Sequence, residues 1–136
     1  MIVIDASATV ALLLNESGVL STSDRLKELN EEPLIVPSHW AAEVGNALVI
    51  NVRRRRIEAS DIEGIIDRLL RLGVQIESAP SFSDMATIAR QAAEIGLTYY
   101  DAAYVHTAQT QQARLLTLDE RMRNAAARLD IPLFIW

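Results

Sequence analysis

The first seven residues constrain this chain more than any other stretch. Met1-Ile-Val-Ile is a short, β-branched apolar run that stops at Asp5, followed by Ala6 and Ser7. Four apolar residues without polar alternation are the pattern of a strand buried on both faces. Ala6 to Leu14 then opens a helix. In an open α/β sheet, ligands gather outside the carboxyl ends of the strands, and Asp5 is predicted to stand at such an end.

The alternation of strand and helix continues along the chain. The first helix carries Ala8, Val10, Ala11 and Leu14 and ends near Asn15-Glu-Ser-Gly18. A second helix fits Val19 to Leu29, with Leu20, Leu26 and Leu29 inward. Glu31-Glu-Pro33 is a turn, Leu34 to Val36 a short buried strand, and Pro37 or Ser38 opens a long helix to about Arg55. Its apolar stripe is Trp40, Val44, Ala47 and Leu48. Ser60-Asp-Ile-Glu63 has capping-box spacing and opens a helix to Leu72, with Ile62, Ile65, Ile66, Leu69 and Leu70 inward and Gly73 closing it. Val74 to Ile76 is a weak strand. Ser83 caps a helix from Asp84 to Ile95, closed by Gly96, and Thr98 caps one from Tyr99 to about Gln111. Arg114 to Leu118 is a strand, Asp119 begins a helix to Leu129, and Leu133 to Trp136 is the last strand. The order predicts an α/β fold, a three-layer α/β/α sandwich on a mainly parallel sheet. No repeat or linker divides it, so residues 1–136 are expected to form a single domain.

Composition narrows the classes. Half of the 136 residues are hydrophobic, which argues against disorder. The absence of cysteine excludes disulfides and thiolate metal sites and is compatible with a cytoplasmic location. The apolar start lacks a basic leader and is broken by Asp5, so no signal peptide is read here. No apolar run approaches the roughly 20 residues that span a bilayer, so no membrane role is expected. A net charge of −5 argues on its face against a nucleic-acid partner. That sign misleads if several acids hold divalent cations. The bases are also unevenly spread, with Arg53, Arg54, Arg55 and Arg56 consecutive.

Four acids break the local pattern. Asp5 and Asp119 each follow an apolar strand directly. Glu43 lies in the early turns of the helix after the second strand. Asp101 heads the stripe Asp101, Tyr104, Val105, Ala108, where an apolar residue is expected. Each alone has a plain reading: a turn residue for Asp5, an arginine partner for Glu43, a helix-dipole acid for Asp101, an N-cap for Asp119. Together they are predicted to meet at one edge of one sheet. Two unit charges about 4 Å apart repel by about 4 kcal/mol at an effective dielectric near 20, so such a cluster takes up protons or binds cations. Oxygen-only ligands favour Mg2+ or Mn2+ over zinc, and these metals suit phosphoryl chemistry. Ser7 and Thr117, each two residues from an acid, are placed to orient a carboxylate or touch a phosphate. Capping and strand propensity are their plain readings.

These segments resemble a known family. Val3-Ile-Asp5-Ala-Ser7, Glu43-Val-Gly-Asn46-Ala-Leu48, Thr98-Tyr-Tyr-Asp101-Ala-Ala-Tyr104 and Leu116-Thr-Leu-Asp119-Glu-Arg121 are similar, in order and spacing, to the motifs of PIN-domain ribonucleases. The VapC-like toxins of type II toxin–antitoxin pairs are the subgroup they resemble. The resemblance implies a PIN-like fold and a metal-dependent endoribonuclease. Asp5, Glu43, Asp101 and Asp119 would hold one or two Mg2+ or Mn2+ ions, and a metal-activated water would attack the RNA phosphodiester. Products would carry a 5′-phosphate and a 3′-hydroxyl. Thr117 matches a hydroxyl beside the last acid and Asn46 a polar position of the second motif. The resemblance also implies a homodimer silenced by a cognate antitoxin protein.

Other residues are weighed against plainer roles. Arg53 to Arg56 fit either an RNA backbone grip or cations at a helix C-terminus. Trp40 is assigned to the core or a dimer interface ahead of base stacking, and Tyr104 to packing. His39 and His106 are not spaced as a ligand pair, so zinc is not expected. Tyr99 or Tyr100 is placed at the cleft mouth. Among rivals, a haloacid-dehalogenase-like phosphatase needs a second aspartate where Ser7 stands. A phosphoacceptor receiver needs a lysine at the site, and the one lysine, Lys27, lies on an outer helix. A non-catalytic or weakly active module whose acidic pocket receives a protein partner remains the alternative from another class.

Overall fold

The computed structural model describes residues 1–14 and 23–135. Their elements run β1 (Ile2–Ile4), α1 (Ala6–Leu13), α2 (Ser23–Glu31), β2 (Leu34–Val36), α3 (Trp40–Arg53), a 3₁₀ turn (Ala59–Asp61), α4 (Ile62–Leu72), β3 (Gln75–Ile76), α5 (Phe82–Ile95), α6 (Tyr99–Thr110), β4 (Arg114–Leu116) and α7 (Glu120–Arg128). The expected first-helix end at 15–18, Leu20 and Trp136 lie outside the described residues, as does the side chain of Leu26. The second helix, expected from Val19, is described from Ser23, and Leu29 is buried as expected.

The four strands form one parallel sheet in the order β3-β2-β1-β4. Ile2 pairs with Leu34 and Ile4 with Leu116, so the central strands end level with one another. Helices flank the sheet, as the alternating pattern predicts. Ile2, Val3, Ile4, Val36, Leu115 and Leu116 are essentially inaccessible, which is why their sequence shows continuous apolar runs rather than alternation. The core they anchor takes in Trp40, Val44, Tyr104 and Val105 from α3 and α6. Among the described residues no helix is long and apolar enough to cross a membrane.

The structure corrects several local expectations. The expected strand over 133–136 reduces to one bridge, Leu115 to Leu133. Pro132 lacks the N–H that a longer ladder needs, and Asp130 before it takes a positive φ of 54°. The third helix starts at Trp40 rather than at Pro37 or Ser38 and ends at Arg53. Ser81, not Ser83, caps α5: its hydroxyl accepts from the Asp84 N–H at 3.1 Å, while its own N–H donates back to Asp84. Only Ser81 has an acid three residues on, and that reciprocal pair decides between the two serines. Before α4 the chain turns two residues earlier than expected, with the Glu58 N–H donating to Asp61 Oδ2 at 2.8 Å. The inner stripe of α4 is narrower than expected. Ile65 is buried, whereas Ile66 and Leu70 are 39% and 73% exposed, because α4 leans on α1 and α3 rather than on the sheet.

At the other end of the sheet, the Met1 amino group lies 2.5 Å from Glu32, and Arg114 reaches both Glu32 and Glu28. The hydrogen bond from the Met1 amino group is the chief reason the Glu32 carboxyl lies below its usual value of 4.5. A depressed carboxyl stabilises the fold above 4.5 and loses that contribution as the pH falls through its lowered value. Glu32→Gln is therefore expected to narrow the difference in unfolding free energy between about pH 7 and about pH 3, read from thermal melts, by less than about 1 kcal/mol for so exposed a pair.

Candidate active site

β1 delivers Asp5 to the carboxyl edge of the sheet, and its side chain caps α1. Asp5 Oδ1 accepts from the Ala8 N–H at 2.7 Å and from the Ser7 hydroxyl at 2.9 Å. Asp5 Oδ2 accepts from the Thr117 hydroxyl at 2.5 Å. The residue is only 4% exposed. Burial pushes its carboxyl above the usual value, and the nearby Glu43 charge adds to the rise, while the three donors oppose it. Behind Asp5, the Thr9 hydroxyl donates to its carbonyl at 2.7 Å, and the Trp40 indole N–H donates to Thr9 at 3.1 Å. Trp40 is thus a buried core residue with its one polar atom satisfied.

Asp119 stands at the end of the neighbouring strand and caps α7, accepting from the Arg121 and Met122 N–H groups at 2.7 and 3.0 Å. Its plain reading as an N-cap holds, and the residue is exposed. Thr117 ties it to Asp5: the Thr117 hydroxyl accepts from the Asp119 N–H at 3.0 Å while donating to Asp5.

Glu43 comes from the first turn of α3 and is half-buried. It accepts from the Tyr104 hydroxyl at 2.5 Å and lies 3.4 Å from His39 Nε2. Tyr104 is buried, as its place on an apolar stripe predicts, but it does more than pack. Burial and the Glu43 carboxylate drive its phenol far above the usual range, so it remains a donor. Burial pushes His39 below its usual value, against the pull of Glu43 and Asp101, which keeps the ring neutral at about pH 7. Asp101 sits in the first turn of α6, whose N-cap Thr98 accepts its N–H at 3.1 Å.

Asp5 with Thr117 and Glu43 with Tyr104 therefore form two hydrogen-bonded pairs close enough for their charges to interact, with His39 and Asp101 beside them. Ser7 joins the first pair; Asn46 is exposed on α3, and among the described residues no hydrogen bond links it to the acids. Sequence reasoning missed His39 and the hydroxyl of Tyr104. The four-residue spacing of His39 and Glu43 was the available signal for the first. Arg53 to Arg56 are exposed at the end of α3, and Arg55 takes a left-handed φ of 57° in the turn that follows.

A buried carboxyl beside a second acid, without a cation partner, has the hard oxygen donors that suit a divalent cation. The side chains are not closed around one. Among the described residues, no three Asp, Glu or His side chains converge closely enough to hold an ion. Asp5 and Asp119 each cap their own helix, Asp119 through Oδ1 alone, with no hydrogen bond to its Oδ2 among the described residues. Tyr104→Phe leaves the ring in the core but frees Glu43 from its donor. It is expected to lower any metal-dependent activity by about 10- to 100-fold, read from single-turnover rates, with a stability loss near about 1 kcal/mol.

Comparison with known proteins agrees with this architecture. A solved structure of PAE2754 from Pyrobaculum aerophilum superposes with a TM-score of 0.70 at 25% identity, covering 91% of this chain and 83% of that one. No curated protein sequence matches. The family model for the PIN domain matches residues 2–128, which include all four acids. PIN domains are generally nucleases that use divalent metal ions. The chain belongs to the PIN domain family.

Proposed function

We propose that this protein is a Mg2+- or Mn2+-dependent endoribonuclease, acting in the cytoplasm as the toxin of a toxin–antitoxin pair. The observation that carries the reading is the buried Asp5 carboxyl beside Glu43 at the carboxyl edge of a PIN sheet, with no cation partner among the described residues. Asp5, Glu43, Asp101 and Asp119 are the residues that would hold the metal. When bound, a divalent cation polarises the phosphodiester and makes water a stronger nucleophile. The protein's own groups prepare that site. Thr117 and Ser7 fix the Asp5 oxygens, and Tyr104 holds Glu43. The rim of His39, Tyr99 and Tyr100 lies where the RNA enters. A homodimer and an antitoxin whose arginine enters the acidic pocket complete the reading.

The test is the chemistry of the product ends. RNA cut by the protein with Mn2+ should carry 5′-phosphate and 3′-hydroxyl ends. Cyclic 2′,3′-phosphate ends, made equally well in chelator, would contradict it. The absence of three converged acids among the described residues favours one rival, a PIN-fold module that only receives a protein arginine. That rival predicts arginine-peptide binding without cleavage.

A further inference from the structure

Beside the acids lies a cleft of about 510 Å³ that the proposed chemistry does not use. That is within the range of small-ligand pockets, roughly 300–1,000 Å³. Its walls are rings, Tyr99 and His106, with Ile88 and Ala103 among its apolar lining. His39 also lines the cleft, and its Nε2 is 3.4 Å from Glu43, so the cleft begins where the acidic cluster ends. Among the described residues, no lysine or arginine lines it. Its charged groups are the carboxylates of Glu77 and Asp84.

Glu77 is held as a reading group would be. Its Oε2 accepts from the Thr107 hydroxyl at 2.7 Å and its Oε1 from the Gln111 amide at 3.0 Å. A carboxylate accepts at about four positions, so each oxygen keeps capacity for one more donor. Among the described residues, Glu77 has no basic partner. Flat walls favour a planar heteroaromatic group, and an anionic rim free of basic residues repels phosphate. A fixed carboxylate selects a ring edge with two adjacent N–H donors. Of the four RNA bases, only guanine offers that edge, through N1–H and the N2 amino group.

We infer that this cleft receives an unpaired guanine of RNA next to the phosphate held at the acids, with Glu77 reading its Watson–Crick edge between the rings of Tyr99 and His106. The inference rests on the proposed ribonuclease reading for its substrate class. It adds a subsite, and with it a base preference that the four acids do not encode.

The test needs no cleavage. The two histidines of the chain both line the cleft, so their ring NMR signals report its occupancy. The heptaribonucleotides U3GU3, U3AU3, U3CU3 and U7 are titrated into the full-length protein in chelator. U3GU3 should shift both histidine signals and bind about tenfold or more tighter than U7. Glu77→Gln can still accept from the Gln111 amide through its one carbonyl oxygen, with the Thr107 hydroxyl turned to accept from its amino group. It loses the charge and should abolish that preference, so that U3GU3 and U7 bind alike. Ser78→Trp, on the exposed lip, should block the histidine shifts without touching the core. Equal binding of the four RNAs would overturn the inference, as would an unchanged preference in Glu77→Gln. Shifts produced by free arginine and not by U3GU3 would overturn it in favour of a protein partner. Wild-type protein that cleaves RNA with no guanine preference removes the cleft alone. Protein that never cleaves but prefers U3GU3 keeps the cleft and removes the nuclease.

Discussion

Asp5→Asn protein is expected to fold, to bind RNA, and to cleave it at least about a hundredfold more slowly than wild type. Asparagine has the same shape, and its oxygen can still accept from the Ala8 N–H, so α1 keeps its cap. What is lost is the charge and the Oδ2 acceptor of the Thr117 hydroxyl, which must turn to accept from the new amide. The same change has a signature in stability. Burial raises the Asp5 carboxyl above 3.8, so the folded state holds that proton more tightly than the unfolded one. As pH rises, the unfolded chain releases the proton first. Stability therefore falls from about 3.8 up through the raised value and stays lower at neutral pH. An asparagine at this position carries no such penalty. Without metal, the variant is expected to melt above wild type at neutral pH and level with it below pH 3.8. Mn2+ should raise the wild-type midpoint and leave the variant's nearly unmoved. Thermal unfolding across pH, with and without Mn2+, reads all three. A variant that unfolds, or that cleaves at the wild-type rate, would take Asp5 out of this role.

Thr117→Val is the second large effect. Valine fills the same space, so the core around Leu116 and Met122 is undisturbed. The hydroxyl it removes is a donor to Asp5 and an acceptor for the Asp119 N–H. One buried oxygen and one backbone N–H then lose a partner, which is expected to cost about 1–3 kcal/mol. Cleavage should fall about 10- to 100-fold as the Asp5 carboxylate loses its orientation. Thr117→Ser, which keeps the hydroxyl, should recover most of both. Lost stability with intact cleavage would make Thr117 purely structural.

The features legible in the sequence are those set by neighbours along the chain. An apolar run cut by Asp5 marked β1 and the start of α1, and Thr98 and Asp119 marked α6 and α7, because caps act over two or three residues. The parallel sheet followed from helices lying between every pair of successive strands. Choices between near-equal local signals were not legible, such as Ser81 against Ser83, or which of the α4 apolar residues face inward. Contacts across long separations were not legible either. The Tyr104 hydroxyl meets Glu43 across 61 positions, and nothing local distinguishes that tyrosine from a packing residue. Four acids were expected to converge at one edge of the sheet. The structure sets the Asp5 carboxyl within the field of Glu43, while Asp119 caps α7 through Oδ1.

The central claim is that these acids make one metal-dependent nuclease site. Its most direct test is incubation of purified total RNA with wild-type protein and with Asp101→Asn, each with Mn2+ and with chelator. Among the described residues, the Asp101 side chain caps no helix and lies in no buried hydrogen bond of the acidic cluster, so its variant isolates charge at the site from the fold around it. Discrete fragments from wild type with Mn2+, absent in the other three lanes, are the predicted result. Equal fragments from Asp101→Asn, or cleavage that persists in chelator, would contradict it.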